Sequence, residues 1–180
     1  MDHEHFMRHR NMNSDLRNSM SAEVIKALNL GPSDVVFDIG SGDGFYSMNF
    51  AKLSSKVYSI DAYEDNFQNP NYSNSKIEKI ATDICEWIKS NDFSDASHVF
   101  FSNSFHDIEC QDGILKILSK SLKKGSHLDM VEFKLETQFG PPKSFRFSKE
   151  MLKSKVEPYG FKEVNYIEFE YHYFISFEKI

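Results

Sequence analysis

Apolar positions along the chain follow two different spacings, one typical of helices and one typical of buried strands. From Met20 to Leu28 the apolar residues recur at helical spacing, and Gly31-Pro32 closes that segment, which predicts a first helix. The next run, residues 34–39 (DVVFDI), is short, largely apolar and bounded by turn residues. Such a run is typical of a strand buried on both faces of a parallel sheet.

The same succession of strand and helix is repeated down the chain. Further strands are predicted at residues 56–61, 76–80, 97–102 and 127–133. Helices are predicted after residue 45, around Trp87, at residues 113–122 and after Ser148. Residues 161–180 contain no helical stretch, and their alternating apolar positions predict two terminal strands in a tight antiparallel pair.

Strands that alternate with helices predict an α/β fold, a Rossmann-like doubly wound sheet. We expect seven mostly parallel strands, an antiparallel C-terminal hairpin strand and helices on both faces. Residues 15–180 are predicted to form a single domain, and residues 1–14 a flexible N-terminal segment that could fold over the pocket as a lid. In such sheets the ligand lies outside the carboxyl ends of the strands, beside strand one. Functional residues should therefore follow strands one to five.

The charge balance and the two cysteines exclude several kinds of partner. Lysine and arginine number 21 against 27 aspartate and glutamate, and no basic stripe could follow a phosphate backbone, so nucleic acid is not expected to bind. No stretch of about 18 apolar residues could span a membrane. Cys85 and Cys110 have no metal-ligand spacing, and we expect both to be reduced, in a cytoplasmic protein.

Residues 36–48 (VFDIGSGDGFYSM) place a glycine-rich turn directly after the first strand. The glycines Gly40, Gly42 and Gly44 form GxGxG, whereas the dinucleotide fingerprint GxGxxG needs its last glycine at the position of Phe45. The turn is therefore a weak signal for a nicotinamide cofactor.

Acidic residues beside this turn indicate another kind of ligand. Asp38 precedes the turn and Asp43 lies within it, so a pyrophosphate would be repelled and a cationic ligand without phosphate would be favoured. Asp61 ends strand two, where an acid commonly accepts the hydroxyls of a ribose. A nucleoside joined to an amino acid, without phosphate, describes S-adenosylmethionine.

With these residues the sequence resembles the class I S-adenosylmethionine-dependent methyltransferases, and among them the small archaeal and bacterial members of type 11. The resemblance covers nearly the whole chain from residue 15. Its motifs are the glycine turn at residues 38–44, Asp61, Asp83 after strand three, residues 102–107 (SNSFHD) after strand four, the 140–142 loop with Arg146, and residues 171–173.

The resemblance implies a set of cofactor-binding residues. Gly40 and Gly42 would pass close to the methionine part, Asp61 would bind the ribose, and Asn103 would lie beside the sulfonium. Asp83 and Ile84 would flank the adenine. The full predicted set is Asp38, Gly40, Ser41, Gly42, Gly44, Asp61, Ala62, Asp83, Ile84 and Asn103. The family usually has a helix between strands two and three, and here only residues 62–75 (AYEDNFQNPNYSNS) fill that gap, so we expect a more open adenosine side.

The acceptor side is less determined by the sequence. His106 is the candidate catalytic residue, a general base where the acceptor should meet the methyl group, or else a loop histidine followed by Asp107 capping the next helix. Arg146 could bind an anionic substrate or lie exposed in a loop. His172 is expected at the surface or the pocket rim, and a substrate contact there rests on the resemblance alone.

The N-terminal histidines His3, His5 and His9 resemble a metal tract, but a mobile segment is the favoured reading, and no metal is assigned. The predicted function is methyl transfer from S-adenosylmethionine to a small-molecule acceptor. The alternatives are a non-catalytic domain that binds S-adenosylmethionine or S-adenosylhomocysteine, and an NAD(P)-dependent oxidoreductase.

Overall fold

A single seven-stranded sheet organises the computed structural model, which describes residues 20–138 and 140–180. The predicted lid at residues 1–14 and the three N-terminal histidines lie outside the described residues. Along the sheet the strand order is β3-β2-β1-β4-β5-β7-β6. The strands are β1 (Val35–Ile39), β2 (Lys56–Asp61), β3 (Ile77–Ala81), β4 (His98–Ser102), β5 (His127–Phe133), β6 (Phe161–Glu168) and β7 (His172–Lys179).

Helices cover both faces of the sheet. They are α1 (described from residue 20 to 28), α2 (Phe45–Leu53), α3 (Ile84–Trp87), α4 (Gln111–Ser121) and α5 (Lys149–Val156). Between β2 and β3, two 3-10 helices, Glu64–Gln68 and Pro70–Ser73, occupy the segment for which the sequence predicted no helix. Their aromatic residues Phe67 and Tyr72 are buried, so this Asn-rich segment is an ordered part of the domain.

Two apolar layers hold the helices to the sheet. Phe101 and Met130 pack with Leu118 of α4 on one face, whereas Phe100 packs with Phe50 of α2 on the other. Neighbouring residues of β4 therefore point into different layers, which is why that strand reads as a continuous apolar run. The predicted doubly wound fold class is confirmed.

The pairing of β1 determines where the functional loops lie. β1 pairs in parallel with β2 on one side and with β4 on the other. The chain crosses from one half of the sheet to the other between these strands, so the loops that follow β1 and β4 separate at the carboxyl edge and leave a crevice. The glycine turn follows β1, and Asn103 follows β4.

The terminal hairpin is inserted into the sheet. β7 lies between β5 and β6 and runs antiparallel to both, so β6 is the edge strand. In the β5–β7 register, Glu132 lies opposite Tyr173 and Phe133 opposite His172. The insertion therefore brings the beginning of the last strand to the same edge as the end of β5.

The prediction that both cysteines are reduced is wrong for this structure, because Cys85 and Cys110 form a disulfide. Cys85 follows β3 and Cys110 follows β4, and both strands end at the same edge of the sheet, so residues 25 apart in sequence meet. The cytoplasmic location, which rested partly on those thiols, stays a prediction. Among the described residues, no helix has the length and apolar character needed to cross a membrane.

Phe101 provides a test of the packing between the sheet and α4. Because its side chain is fully buried, we expect Phe101→Ala to lower the free energy of unfolding by about 3–5 kcal/mol through lost burial and a cavity. Urea unfolding measures the change. Phe145→Ala, at a side chain that is 56% exposed, is the control and should change stability by less than about 0.5 kcal/mol. Equal losses in the two variants would contradict the assigned core.

Candidate active site

A cavity of about 780 Å³ opens at the carboxyl edge of the sheet, between the loops that follow β1 to β4. Its walls carry five carboxylates and, among the residues that the structure describes, no lysine or arginine. The acids are Asp61, Asp83, Glu86, Asp107 and Glu109. Apolar walls come from Ile39, Ile60, Ile84 and Ile108. Such a cavity favours a ligand that carries positive charge beside an apolar or aromatic part.

Of the glycines in the turn, Gly42 alone faces open space. All three have positive φ, +70° at Gly40, +56° at Gly42 and +75° at Gly44. A Cβ at Gly40 would lie 2.5 Å from Cβ of Ser104, and one at Gly44 would lie 2.6 Å from the ring of Tyr72, whereas a Cβ at Gly42 would meet nothing within 4 Å. Gly40 and Gly44 therefore permit close packing, and Gly42 faces open space.

Asp38 lies beneath the turn rather than in the cavity wall. Its carboxylate is 1% exposed and accepts a hydrogen bond of 2.5 Å from the Ser47 hydroxyl, which also lies 2.6 Å from the Ser59 hydroxyl. Burial raises the pKa of Asp38 to about 7, although the bond from Ser47 opposes that rise. Asp38 thus supports the turn and adds negative charge below it only when ionised.

Tyr72 anchors the turn from the other side, a role that the sequence did not indicate. Its hydroxyl lies 2.8 Å from both the Ser41 hydroxyl and the Gly42 carbonyl oxygen. Ser41 is therefore occupied by a structural contact. Tyr72 lies in an Asn-rich segment without apolar periodicity, and its partner Ser41 is 31 residues away in sequence. The sequence therefore gave no sign of this contact.

Asp61 connects the turn to the cavity. One carboxylate oxygen, Oδ2, accepts from the Gly42 amide at 2.8 Å, and Oδ1 accepts from the Tyr63 amide at 2.9 Å and the Asn66 side-chain amide at 3.0 Å. A carboxylate has about four acceptor positions, so these three bonds leave one, on Oδ2. Asp61 therefore has one acceptor position left for a donor in the cavity.

The wall predicted for the adenine combines a helix cap with apolar surface. Asp83 lines the cavity and its Oδ1 also accepts from the Cys85 amide at 2.7 Å, which caps α3. Ile84, directly after it, is buried, and Ala62 also lines the cavity. Asp83 therefore caps α3 and also forms part of the cavity wall.

Asn103 is strained and has an unsatisfied acceptor. Its φ is +52°, a left-handed conformation uncommon for a residue with a Cβ, and its side-chain Oδ1 is buried without a hydrogen-bond partner. The residue lines the cavity, and its backbone amide is held by the Val131 carbonyl at 2.8 Å. A buried acceptor beside a cavity indicates a place for a ligand's hydrogen-bond donor.

His106 pairs with Glu132, a residue that the sequence analysis missed. Nδ1 of His106 lies 2.6 Å from Oε2 of Glu132, and both side chains are buried. Burial lowers the pKa of His106, but the hydrogen bond and charge of Glu132 outweigh it, so the net pKa is raised. The signal that could have identified Glu132 was an acidic residue near the end of the apolar run HLDMVEF, residues 127–133. Asp107 does not cap the next helix; its side chain is exposed and lines the cavity.

His172 is buried beside this pair, not at the surface or the rim. Its side chain packs on Phe133 with ring centroids 4.2 Å apart, and its Nε2 has no hydrogen-bond partner in the described chain. Burial and the neighbouring His106 lower the pKa of His172 to about 4, so the ring is neutral at pH 7. The alternation of apolar residues alone placed His172 at the surface or the rim. Because β7 lies between β5 and β6, both of its edges are paired and His172 is buried.

Arg146 is engaged by the backbone and is only 7% exposed. Its guanidinium donates to four carbonyl oxygens, those of Pro141 at 2.7 Å, Thr137 at 2.6 Å, and Lys134 and Leu135 at 3.2 Å. The sequence analysis expected Arg146 either to lie exposed in a loop or to bind an anionic substrate. Neither expectation describes a buried guanidinium that donates to backbone carbonyl oxygens. It fixes the loop after β5, whose Gly140 packs against the ring of Phe133.

A second cavity, of about 540 Å³, lies at the opposite, amino-terminal edge of the sheet. It contains the buried pair His98 and Asp129, 2.7 Å apart, together with Lys123 and Lys124 at its mouth. None of the predicted site residues lines this cavity. The structure thus brings Gly40, Asp61, Ala62, Asp83, Ile84 and Asn103 into the wall of the first cavity. Ser41, Gly42 and Gly44 lie in the turn outside that wall, and Asp38 lies in β1 beneath the turn.

No protein-family model matches the sequence. A curated protein of Methanococcus maripaludis (strain C5), named "Probable cobalt-precorrin-6B C(15)-methyltransferase (decarboxylating)", is 40% identical over 70 residues, which are 39% of this chain. The match covers 37% of that relative's own length.

Two solved structures share the fold over nearly the whole chain. A SAM-dependent methyltransferase from Aquifex aeolicus superposes with a TM-score of 0.79 at 19% identity, covering 97% of this chain and 98% of that one. A complex of DhpI with SAH gives a TM-score of 0.71 at 15% identity, covering 96% and 92%. At these identities the likeness shows a methyltransferase-type Rossmann-like fold, as the sequence resemblance implied.

The low pKa of His172 gives a prediction for stability at acid pH. Because the unfolded chain protonates this histidine near pH 6.5 and the folded chain only near pH 4, its contribution is present above pH 6.5 and is lost as pH falls toward 4. Between pH 7 and pH 5 we expect His172→Gln to lose about 2 kcal/mol less stability than the original chain. Urea unfolding at both pH values measures this, and identical pH dependence in the two chains would show that His172 is not buried as a neutral ring.

Proposed function

We propose that this chain is an S-adenosylmethionine-dependent methyltransferase that acts on a small-molecule acceptor. The observation that carries the proposal is the composition of the cavity at the switch between β1 and β4, which has five carboxylates and no described lysine or arginine. A sulfonium and an ammonium group are stabilised there, whereas the phosphates of a dinucleotide would be repelled. The fold, shared with SAM-dependent methyltransferases, supports the same conclusion.

The residues in the cavity fit the parts of S-adenosylmethionine. Asp61 has one acceptor position left for a ribose hydroxyl, and Ile84 with Asp83 offers an apolar and a polar edge for the adenine. The open space at Gly42 gives room for the methionine part. The buried, unpartnered Oδ1 of Asn103 would accept from its ammonium group. Asp38, Ser41 and Gly44 support this set from below without reaching the cavity.

The bound cofactor supplies a methyl group on a positively charged sulfur, which is already activated for displacement. The chain's own tasks are to hold the acceptor in line with that methyl group and to exclude water. Arg146 fixes the loop after β5, whose Gly140 packs on the ring of Phe133, and we assign the exclusion of water to this loop. We retain His106 as the candidate catalytic residue.

The alternatives are less well supported by the described residues. An NAD(P)-dependent oxidoreductase needs a turn that accepts a pyrophosphate, and here Phe45 takes the place of the third glycine while acids line the cavity. A silent binding domain is less favoured because His106, the candidate catalytic residue, lies 3.6 Å from Asp107 in the wall of the cavity. The curated relative is named for a cobalt-precorrin, which supports a small-molecule acceptor, but the matched stretch is too short to extend that acceptor to this chain.

Calorimetric titration with S-adenosylmethionine, S-adenosylhomocysteine and NADH tests the cofactor assignment. We expect the first two to bind and NADH not to bind. Asp61→Asn should weaken S-adenosylhomocysteine binding by about 10-fold to 100-fold. The side-chain NH2 of asparagine would face the backbone N–H of Gly42 or of Tyr63, and a donor cannot accept the hydrogen bond that Asp61 accepts there. Asp65→Asn, the same change at an exposed position four residues away, should leave binding unchanged.

Preference for NADH would refute the proposal, as would unaltered binding in Asp61→Asn. Circular dichroism and thermal unfolding of both variants separate loss of the site from loss of the fold, because Asp61 also holds the glycine turn through Gly42.

A further inference from the structure

We propose that Cys85 and Cys110 form a redox switch of the acidic cavity, in which the disulfide holds two cavity walls together and its reduction by a dithiol weakens cofactor binding. This inference rests on the proposed methyltransferase function, because S-adenosylhomocysteine is the probe of the cavity. It is carried by the position of the disulfide, by the contacts that the two walls otherwise share and by the exposure of both cysteines.

The disulfide joins two segments that each line the cavity. Residues 83–86, after β3, form the wall proposed for the adenine and include Cys85 itself. Residues 107–109, after β4, form another part of the wall and lead directly into Cys110. The Cα atoms of the two cysteines are 5.8 Å apart. The bond therefore limits how far these two walls can separate.

Apart from the disulfide, the two segments are joined by apolar packing. Among the residues that the structure describes, no hydrogen bond or ion pair connects residues 83–88 with residues 104–113. Ile84, Ile88 and Ile108 belong to the same apolar cluster. Opening the disulfide therefore leaves apolar contacts, which are not directional, to hold the two walls in place.

The segment after β3 has little regular structure of its own to resist movement. Its helix α3 is four residues long, and a helix of that length is not stable in isolation. Asp83 caps it by accepting from the Cys85 amide at 2.7 Å, but this bond lies within the segment and does not tie it to the loop after β4. When the disulfide opens, we expect Asp83 and Ile84 to lose their fixed positions in the cavity wall.

The disulfide is accessible in the folded chain. Both cysteines are half-buried rather than buried, and Cys85 is the member of the pair that lines the cavity. The rate of thiol–disulfide exchange depends on access to the sulfur that is attacked. A small dithiol that enters the cavity can therefore reduce this bond without unfolding the domain.

The exchange with a dithiol balances in two steps. A thiolate of the reductant attacks the sulfur of Cys85, the S–S bond breaks, and its electron pair stays on the sulfur of Cys110, which takes a proton. The second thiol of the reductant then attacks the mixed disulfide and releases Cys85, which takes the other proton. The reductant is oxidised to its cyclic disulfide, and the cysteine pair gains two electrons and two protons.

Thermodynamic linkage makes the switch reciprocal. We expect the disulfide form to bind S-adenosylhomocysteine about 10-fold more tightly than the reduced form, because the reduced form must order one or two wall side chains on binding. Saturating S-adenosylhomocysteine must then shift the redox equilibrium toward the disulfide by the same factor. For this two-electron couple, a 10-fold shift corresponds to about 30 mV in reduction potential.

The experiment titrates S-adenosylhomocysteine by calorimetry into the oxidised chain and into the chain reduced with dithiothreitol. The sequence contains two cysteines, so the reductant has this disulfide as its target. We expect reduction to raise Kd about 10-fold, and equilibration in a dithiothreitol redox buffer with and without S-adenosylhomocysteine to give the matching shift. Labelling of free thiols establishes the redox state in each case.

Two variants serve as controls for the reductant. The double variant Cys85→Ser and Cys110→Ser should bind as weakly as the reduced chain, and dithiothreitol should not change its Kd. Cys110→Ser alone, measured in dithiothreitol, retains Cys85 in the cavity wall and should show the same loss. Tight binding by Cys110→Ser would contradict the switch, because the crosslink would then not be what fixes the walls.

A purely structural disulfide would lower the temperature of unfolding on reduction but leave Kd unchanged, and that result would overturn the proposal. Loss of the whole fold on reduction, seen by circular dichroism, would also overturn it, as would a chain that an oxidant cannot convert to the disulfide form. If the oxidised chain does not bind S-adenosylhomocysteine, the proposed function itself is refuted.

Discussion

The parallel pairing of β1 with both β2 and β4 is the constraint on which the rest of the structure depends. Since neighbouring parallel strands end at one edge, every loop that follows them meets there. The glycine turn, Asp61 and Asn103 come together because of this pairing, although they are up to 63 residues apart in sequence. The hydrogen bond from the Gly42 amide to Asp61 then joins the loops after β1 and β2 into one wall.

Electrostatics divides this edge into two environments. The larger cavity concentrates five carboxylates in its wall, which favours a ligand with positive charge. On the side of β5 and β7, the polar groups are buried and paired, as His106 is with Glu132, or are neutral, as His172 is. The acidic wall of the cavity and the buried polar groups beside β5 and β7 therefore differ in charge, although both lie at the carboxyl edge of the sheet.

Polar groups inside the sheet mark the two ends of the central strands. His98 and Asp129 form a buried pair at the amino-terminal edge of β4 and β5, and the pair of His106 and Glu132 lies at the carboxyl edge. The two pairs are similar in distance and burial, but of the two the pair of His106 and Glu132 is the one beside the acidic cavity and the strained Asn103. A buried histidine and carboxylate pair therefore gains a functional meaning only from its surroundings.

The sequence by itself determined the order and kind of the elements, because apolar periodicity and turn residues are local properties. It also indicated the glycine turn and the acids that follow strands one to three, since motif spacing and chain order survive folding. Only the tertiary structure decided which partners each side chain has. Several contacts join side chains to partners elsewhere in the chain: Tyr72 with the glycine turn, Glu132 with His106, Arg146 with backbone carbonyls, and Cys85 with Cys110. The burial of His172 likewise depends on the placement of its strand in the sheet. No local pattern encodes such contacts, because they depend on how the strands are ordered across the sheet.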